Sequence, residues 1–451
     1  MMPWRYDTYF CPWSDFNTTK LIIMKYIFLP ILLALFIPVE NPIEDIIKND
    51  MEYLVDFYKE RHQNPEISLE EKETASALAD ELRKTGFEVT ENFGGHGIVG
   101  IYKNGDGPLI LYRTDMDALP MAEKTELSYA SNKTINYNGD TAGTMHSCGH
   151  DMHMTSMVGT ARAMVKMKDQ WKGTMMMIGQ PAEEIGQGAD LMLKAGLYEK
   201  FGVPDYGIGL HCSPTIQSGK LGVREGFSMA TTESCDIIVH GLGGHGAAPH
   251  MTIDPVVVAS MIVMDLQTIV SRNLKPTSSA VITVGSFKSG HKHNIIPDQA
   301  HLKLTIRTYE EEVRLMVHRR IQEISRGVAI GAGLPEDKMP EVVFDEFRTP
   351  ANYNHPAVTA ALQKAASNAI GAENVIDAEP QMVGEDFSRY GSTEHKVPTV
   401  LYWLGTVHED KMEHVHELPG LHSPFYFPEI ETTLTTAIKV NTQTMIDLFN
   451  S

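Results

Sequence analysis

Gly173-Thr174-Met175-Met176-Met177-Ile178-Gly179-Gln180-Pro181-Ala182-Glu183-Glu184 is an apolar run that stops at a proline and hands over to paired glutamates. It is too short for a helix and shows no polar alternation. Such a run reads as a strand buried on both faces, as in parallel sheets covered by helices. The pattern repeats elsewhere. Residues 108–112 feed Arg113-Thr114-Asp115-Met116-Asp117-Ala118-Leu119-Pro120, and Tyr206-Gly207-Ile208-Gly209-Leu210-His211 closes on a histidine. Residues 97–102 form a further strand. Helical spacing marks residues 49–64 through Met51, Leu54, Val55 and Tyr58. A second helix covers 68–85, with Ser68 and Glu71 as a capping box and Gly86 as its stop. Two more cover 153–168 and 189–195. Strand and helix alternate, which predicts an α/β fold with a mostly parallel sheet. Sheets of that kind gather their sites at one edge.

The order changes near Thr231. Strand 234–239, helix 255–272, strands 280–287 and 301–308, helix 311–330 and strand 340–347 follow in turn, the β-α-β-β-α-β order of a ferredoxin-like α+β unit. A chain of 451 residues predicts two domains. The reading is an N-terminal extension at 1–42, a catalytic domain in two parts at 43–230 and 348–451, and the ferredoxin-like domain inserted at 231–347.

The chemistry concentrates in Cys148-Gly149-His150-Asp151-Met152-His153. A thiolate and an imidazole hinged by a glycine can close on one ion, and Asp151 can orient a ring. Zinc-type divalent ions favour this mix of sulfur and nitrogen. Glu183 and Glu184 follow a buried strand, so one carboxylate can ligate while the other serves as a free general base. His211 ends its own apolar run, although a lone histidine there is more often a core residue. His422 sits in Gly420-Leu421-His422-Ser423-Pro424, close to His414 and His416. Together Cys148, His150, Glu184, His211 and His422 suffice for two metals and a bridging thiolate. Cys212, next along the strand from His211, should point away from that site.

The net charge of −20 argues against nucleic acid as a partner. Four cysteines, at 11, 148, 212 and 235, do not make a disulfide framework. Met24-Lys25 followed by the apolar stretch 27–37 resembles a signal peptide and predicts export. The alternative is an uncleaved membrane anchor, since residues 21–39 approach the ~20 residues needed to span a bilayer.

The chain resembles the metal-dependent amidohydrolases related to carboxypeptidase G and the aminoacylases. The resemblance runs from about Ile43 to Phe449 and is closest to the branch of hippurate hydrolase and indoleacetyl-amino acid hydrolase. It rests on the segment from Asp115 to Pro120, Met145 to Asp151, Gln180 to Glu184, Gly244-His245-Gly246-Ala247-Ala248-Pro249-His250, His293-Asn294-Ile295-Ile296-Pro297 and Gly384-Glu385-Asp386-Phe387. It implies hydrolysis of N-acyl amino acids by two divalent ions, zinc or manganese, in a homodimer formed through the inserted domain. It also implies that Cys148 bridges the ions, with His150 and His211 on one and Glu184 and His422 on the other, and that Glu183 is the general base. Other branches carry His-x-Asp with that histidine on a metal. Here Asp115-Met116-Asp117 stands instead, so His150 takes the missing place and Asp117 orients. His245 is a candidate oxyanion donor, in the partner subunit's site. Asn294 and Arg307 are candidates for the substrate carboxylate, although Arg307 on its strand equally suits a structural salt bridge. Two further readings share these ligands: a dipeptidase or N-acetyl-metabolite deacetylase, and an exported metal or solute binder without catalysis. The last does not account for Glu183.

Overall fold

The computed structural model describes residues 42–451. The leader-like segment, its anchor alternative and Cys11 lie outside the described residues. An eight-stranded sheet carries the larger part of the fold, in the order Glu88–Thr90, Ile98–Lys103, Thr174–Gln180, Leu109–Asp115, Tyr206–Gln217, Thr399–Val407, Leu221–Val223 and Val375–Asp377. Its four central strands, from Thr174–Gln180 to Thr399–Val407, run parallel, while the Glu88–Thr90, Ile98–Lys103 and Leu221–Val223 strands each make an antiparallel pairing. The sheet is thus mostly parallel at its centre and mixed at its flanks.

Met175, Met176, Met177 and Ile178 are fully buried because helices cover both faces. Met175 and Met177 join one core with the helices Pro42–Gln63, His150–Lys166 and Glu431–Phe449. Met176 and Ile178 join the other, against Ala189, Met192 and Leu197. Period-two alternation along the strand supplies one residue to each core in turn. Cys212 belongs to the first core, where its Sγ lies 3.9 Å from the Gly149 carbonyl.

Three local expectations are corrected. The second helix spans Lys72–Lys84 and has no capping box. Ser68 Oγ donates instead to Asp117 Oδ2 at 2.6 Å, and Glu71 Oε1 accepts from Ala182 N at 2.7 Å. Both residues leave the helix end to brace the strand-end loops, where buried N–H and carboxylate groups need partners. The third helix starts at His150, not His153, because Gly149 caps it in the left-handed region at φ 84°. His211 does not end its strand, which continues to Gln217. The ladder to Leu109–Asp115 stops earlier, at the Arg113/Gly209 pair, so His211 lies beyond its neighbour's edge even though its own strand goes on.

The second sheet has the order Ala280–Ser289, Gln299–Thr308, Glu233–His240 and Glu341–Phe344, all antiparallel. With helices Pro255–Thr268 and Glu311–Gly331 it makes the ferredoxin-like arrangement around its own core, which includes Ile237, Leu302, Leu304 and Ile306. These residues alternate with Ser234, Thr305 and Arg307, which therefore point to the face without helices. Register places Ser234 opposite Thr305 and Val281 opposite Arg307 on that face.

Candidate metal centre

The helix-free face of the smaller sheet and the strand ends of the larger one enclose a cleft of about 760 Å³. Cys148, Glu183, Glu184, His211, His422 and Arg307 all line it. Cys148 arrives on the tight turn before the His150–Lys166 helix. Glu183 and Glu184 follow Ala182, whose φ of 53° turns the chain sharply out of the Thr174–Gln180 strand. His422 is also left-handed, at φ 61°, and its N–H donates to the Ser147 carbonyl at 3.0 Å. That bond fastens the C-terminal loop beside Cys148. Left-handed non-glycine residues cost free energy and cluster where a site over-determines the backbone.

Two groups of possible ligands share one atom. Cys148 Sγ is 3.5 Å from His211 Nε2 and 3.3 Å from His422 Nε2, and His422 Nε2 is 3.2 Å from Glu184 Oε2. Cys148 thus belongs both to a cluster with His150 and His211 and to one with Glu184 and His422. The tautomers suit ligation. His150 Nδ1 donates to the Asp117 carbonyl at 2.7 Å and His211 Nδ1 to the Cys212 carbonyl at 2.9 Å. A carbonyl only accepts, so each Nδ1 carries the proton and each Nε2 offers a lone pair to the cleft. Asp117 also braces Glu184, whose N–H donates to its Oδ2 at 3.0 Å.

His150 Nε2, Glu184 Oε1 and Asp117 Oδ1 are buried without a hydrogen-bond partner. Buried polar atoms are rarely left so. Burial disfavours charge on His150, yet Asp115, Asp117 and Glu184 outweigh it and push its pKa up to about 10. The carboxylates demand positive charge at this point, and a proton and a cation would compete for the same lone pair. Burial raises the Cys148 thiol and, with Glu385, Glu184 and Asp386 adding to it, raises Glu183 well above the usual carboxylate range. Burial lowers His211 to about 3, so that ring stays neutral. The residues present fit divalent cations.

A third cluster, Asp115, His150 and His153, has ligand-type residues. His153 has no lone pair to give, since Nδ1 donates to Asp115 Oδ1 at 2.6 Å and Nε2 accepts from Cys212 N at 2.9 Å. Asp151 does orient a ring, but it is His62 of the first helix, not a ligand. His62 Nδ1 lies 2.6 Å from Asp151 and Nε2 3.1 Å from Glu123. Burial works against the charge, but the two carboxylates prevail and hold His62 at about 9.

His245 and Asn294 are exposed and do not line the cleft. Both belong to a ribbon of the smaller domain, where Gly244–His245 pairs with Ile295–Ile296 and Gly246 N donates to the Asn294 carbonyl at 2.9 Å. Sequence reasoning assigned no role to Arg113. It is fully buried under the cleft, donating to Asp115 at 2.7 Å, Glu385 at 2.8 Å and Asp386 at 3.1 Å. Gln180 joins it, donating to Asp386 at 2.7 Å. Its signals were an arginine next to a strand-end Asp-x-Asp and the Gln180 and Glu385-Asp386 motifs, none of which says that they meet.

A cleft floored by sulfur, imidazole and carboxylate, at the edge of a mostly parallel sheet, defines a metal-dependent hydrolase. Residues 111–422 match Peptidase family M20/M25/M40, and the chain belongs to that family. It is an amidohydrolase of that family. It is 37% identical over 375 residues to thermostable carboxypeptidase 2 of Saccharolobus solfataricus, spanning 81% of this chain and 90% of the relative. It is 37% identical over 337 residues to hippurate hydrolase of Campylobacter jejuni, spanning 74% of this chain and 84% of that one. Among solved structures, the YXEP protein of Bacillus subtilis, described as a dinuclear metal binding peptidase from the M20 family, superposes with a TM-score of 0.73. Its identity is 29%, over 89% of this chain and 99% of that one.

Proposed function

We propose that the enzyme hydrolyses the amide bond of N-acyl amino acids of the hippurate type, releasing a carboxylic acid and an amino acid. The observation that carries this reading is Arg307. Its guanidinium is half-buried in the cleft, where it donates to Thr232 Oγ1 and makes no ion pair with a carboxylate among the described residues. Burial alone pushes its pKa down. A substrate carboxylate would offset that cost through paired, charge-assisted hydrogen bonds. Met229, Phe347, Met382 and Trp403 give the cleft apolar wall for an acyl group.

In this reading Cys148 would be shared between two divalent ions, with His150 and His211 holding one and Glu184 and His422 the other. Zinc or manganese suits that donor set. When bound, the ions supply the positive charge that activates a water and polarises the acyl carbonyl. Glu183 takes the proton from the attacking water, and the water oxygen bonds to the acyl carbon. As the C–N bond breaks, Glu183 returns the proton to the amine nitrogen. Asp117 holds the His150 ring and the Glu184 backbone in place through this step.

The test is a panel of N-acyl amino acids. Hippurate-type amides should be cleaved by the ion-loaded protein and not after chelation. Methyl esters of the same substrates should show a raised KM, because they cannot pair with Arg307. Equal cleavage with and without chelator would overturn the reading.

His245 is placed by this proposal in the active site of a partner subunit, with the dimer formed through the inserted domain. Support comes from its exposure outside its own cleft and from the apolar outer face of the Pro255–Thr268 helix. Val257, Met261 and Met264 are 55%, 47% and 69% exposed there. Glu183→Ala and His245→Ala homodimers should each be nearly inactive. Mixing them with subunit exchange should recover activity, since each heterodimer then has one site with both residues intact. Proven exchange without recovery would remove His245 from the partner's site.

A further inference from the structure

We infer that His153 is a positioning residue that fixes His211 through the backbone of Cys212, an inference that rests on the two-ion reading above. The Leu109–Asp115 strand leaves the ladder after the Arg113/Gly209 pair, so the Tyr206–Gln217 strand runs on without that neighbour. His153 Nε2 supplies the missing acceptor, taking the Cys212 N–H at 2.9 Å. A backbone N–H can only donate, so the His153 proton must sit on Nδ1, where it meets Asp115 Oδ1 at 2.6 Å. Asp115 is anchored in turn by Arg113 at 2.7 Å. The Cys212 carbonyl, on the other side of the same residue, accepts from His211 Nδ1 at 2.9 Å. One residue's backbone therefore links two rings. The His153 side carries the tautomer set by Asp115, and the His211 side presents Nε2 to Cys148 at 3.5 Å. The two rings also meet edge to face, with centroids 4.9 Å apart at 68°.

The chain of contacts runs from Arg113 through Asp115, His153 and Cys212 to His211, and it reaches only one of the two clusters that share Cys148. Glu184 and His422 have no part in it. Removal of His153 should therefore weaken one ion and spare the other. Groups that support a ligand in this way are worth about 10–100-fold in affinity.

The experiment is calorimetric titration of the metal-stripped full chain with zinc, alongside its thermal midpoint without metal. Wild type should take up two equivalents. His153→Phe, which keeps a ring of similar size but accepts no hydrogen bond, should weaken one equivalent by about 10–100-fold. His153→Gln, whose side-chain oxygen reaches the position of Nε2, should restore most of that loss. Equal weakening of both equivalents, or Phe binding zinc as well as Gln, would make the residue a packing element and overturn the inference. The thermal midpoint separates a folding defect, which moves both equivalents together, from the selective loss. Fewer than two equivalents in wild type would instead sink the two-ion reading, and this inference with it.

Discussion

Glu183→Ala is expected to lower kcat by about 10²–10⁴-fold, the usual scale for losing a positioned acid–base group, while metal content stays at the wild-type level. Two features separate Glu183 from its neighbour. Glu184 Oε2 stands 3.2 Å from His422 Nε2, and its N–H is held by Asp117. Both glutamates lie at a similar distance from His150 Nε2, 3.8 Å for Glu183 and 3.9 Å for Glu184, but Glu183 also faces Glu385 and Asp386. Burial and those carboxylates raise its affinity for a proton, so it would serve as the base only with the cations' positive charge beside it to keep it ionised. Elemental analysis and steady-state kinetics on the same preparation decide the matter. Loss of metal in Glu183→Ala, with metal retained in Glu184→Ala, would mean that the two glutamates hold each other's roles.

The eight-stranded sheet was legible because its central strands are buried on both sides and so appear as unbroken apolar runs, of which Met175-Met176-Met177-Ile178 is the plainest. The smaller sheet was legible for the opposite reason. Its strands alternate, with Leu302, Leu304 and Ile306 inward and Thr305 and Arg307 outward. Boundaries were harder to read wherever a side chain left its local role. Ser68 and Glu71 have the spacing of a capping box, but both serve the strand-end loops, and no local pattern records a tertiary partner 49 or 111 residues away. The early start of the His150–Lys166 helix depends on Gly149 taking a left-handed conformation, a choice made by close packing against Cys212, whose Sγ would lie 3.1 Å from any Cβ there.

The cleft-lining residues are legible because chemistry-bearing side chains sit just past apolar runs. What lies beneath them is not. Arg113 looks like the polar end of a strand, yet it is buried against three carboxylates, Asp115 on its own strand and Glu385 and Asp386 on one distant segment. Asp151 is adjacent to His150 in sequence and serves His62, because helical geometry turns consecutive side chains about 100° apart. His153 resembles a third ligand by spacing and is spent entirely on Asp115 and Cys212. Sequence shows which atoms could bind an ion. Only the hydrogen-bond partners show which of them still have a lone pair to give.

Cys148→Ser should cost more metal affinity than any supporting residue, and so more than about 100-fold for at least one ion. The thiol is the one atom common to both clusters, within 3.5 Å of His211 Nε2 and 3.3 Å of His422 Nε2. Burial, then Glu184, Glu183 and Asp115, hold it protonated when no cation is near. A bound cation deprotonates a coordinating thiol outright, and the thiolate so formed would carry the negative charge that suits two cations held by the clusters sharing Cys148. Serine keeps the shape and loses that charge, since its hydroxyl stays neutral and is a poor ligand for zinc-type ions. The variant should fold, because Cys148 lies at the cleft and the large core beneath it is made by other residues. Its thermal midpoint without metal should match that of wild type, while the rise in midpoint that wild type shows with added zinc should shrink sharply. Cobalt-loaded wild type should display a sulfur-to-metal charge-transfer band that the variant lacks. If Cys148→Ser retains two equivalents at wild-type affinity, the sulfur is a bystander, and the shared position belongs to a carboxylate such as Glu184, which has two oxygens to offer.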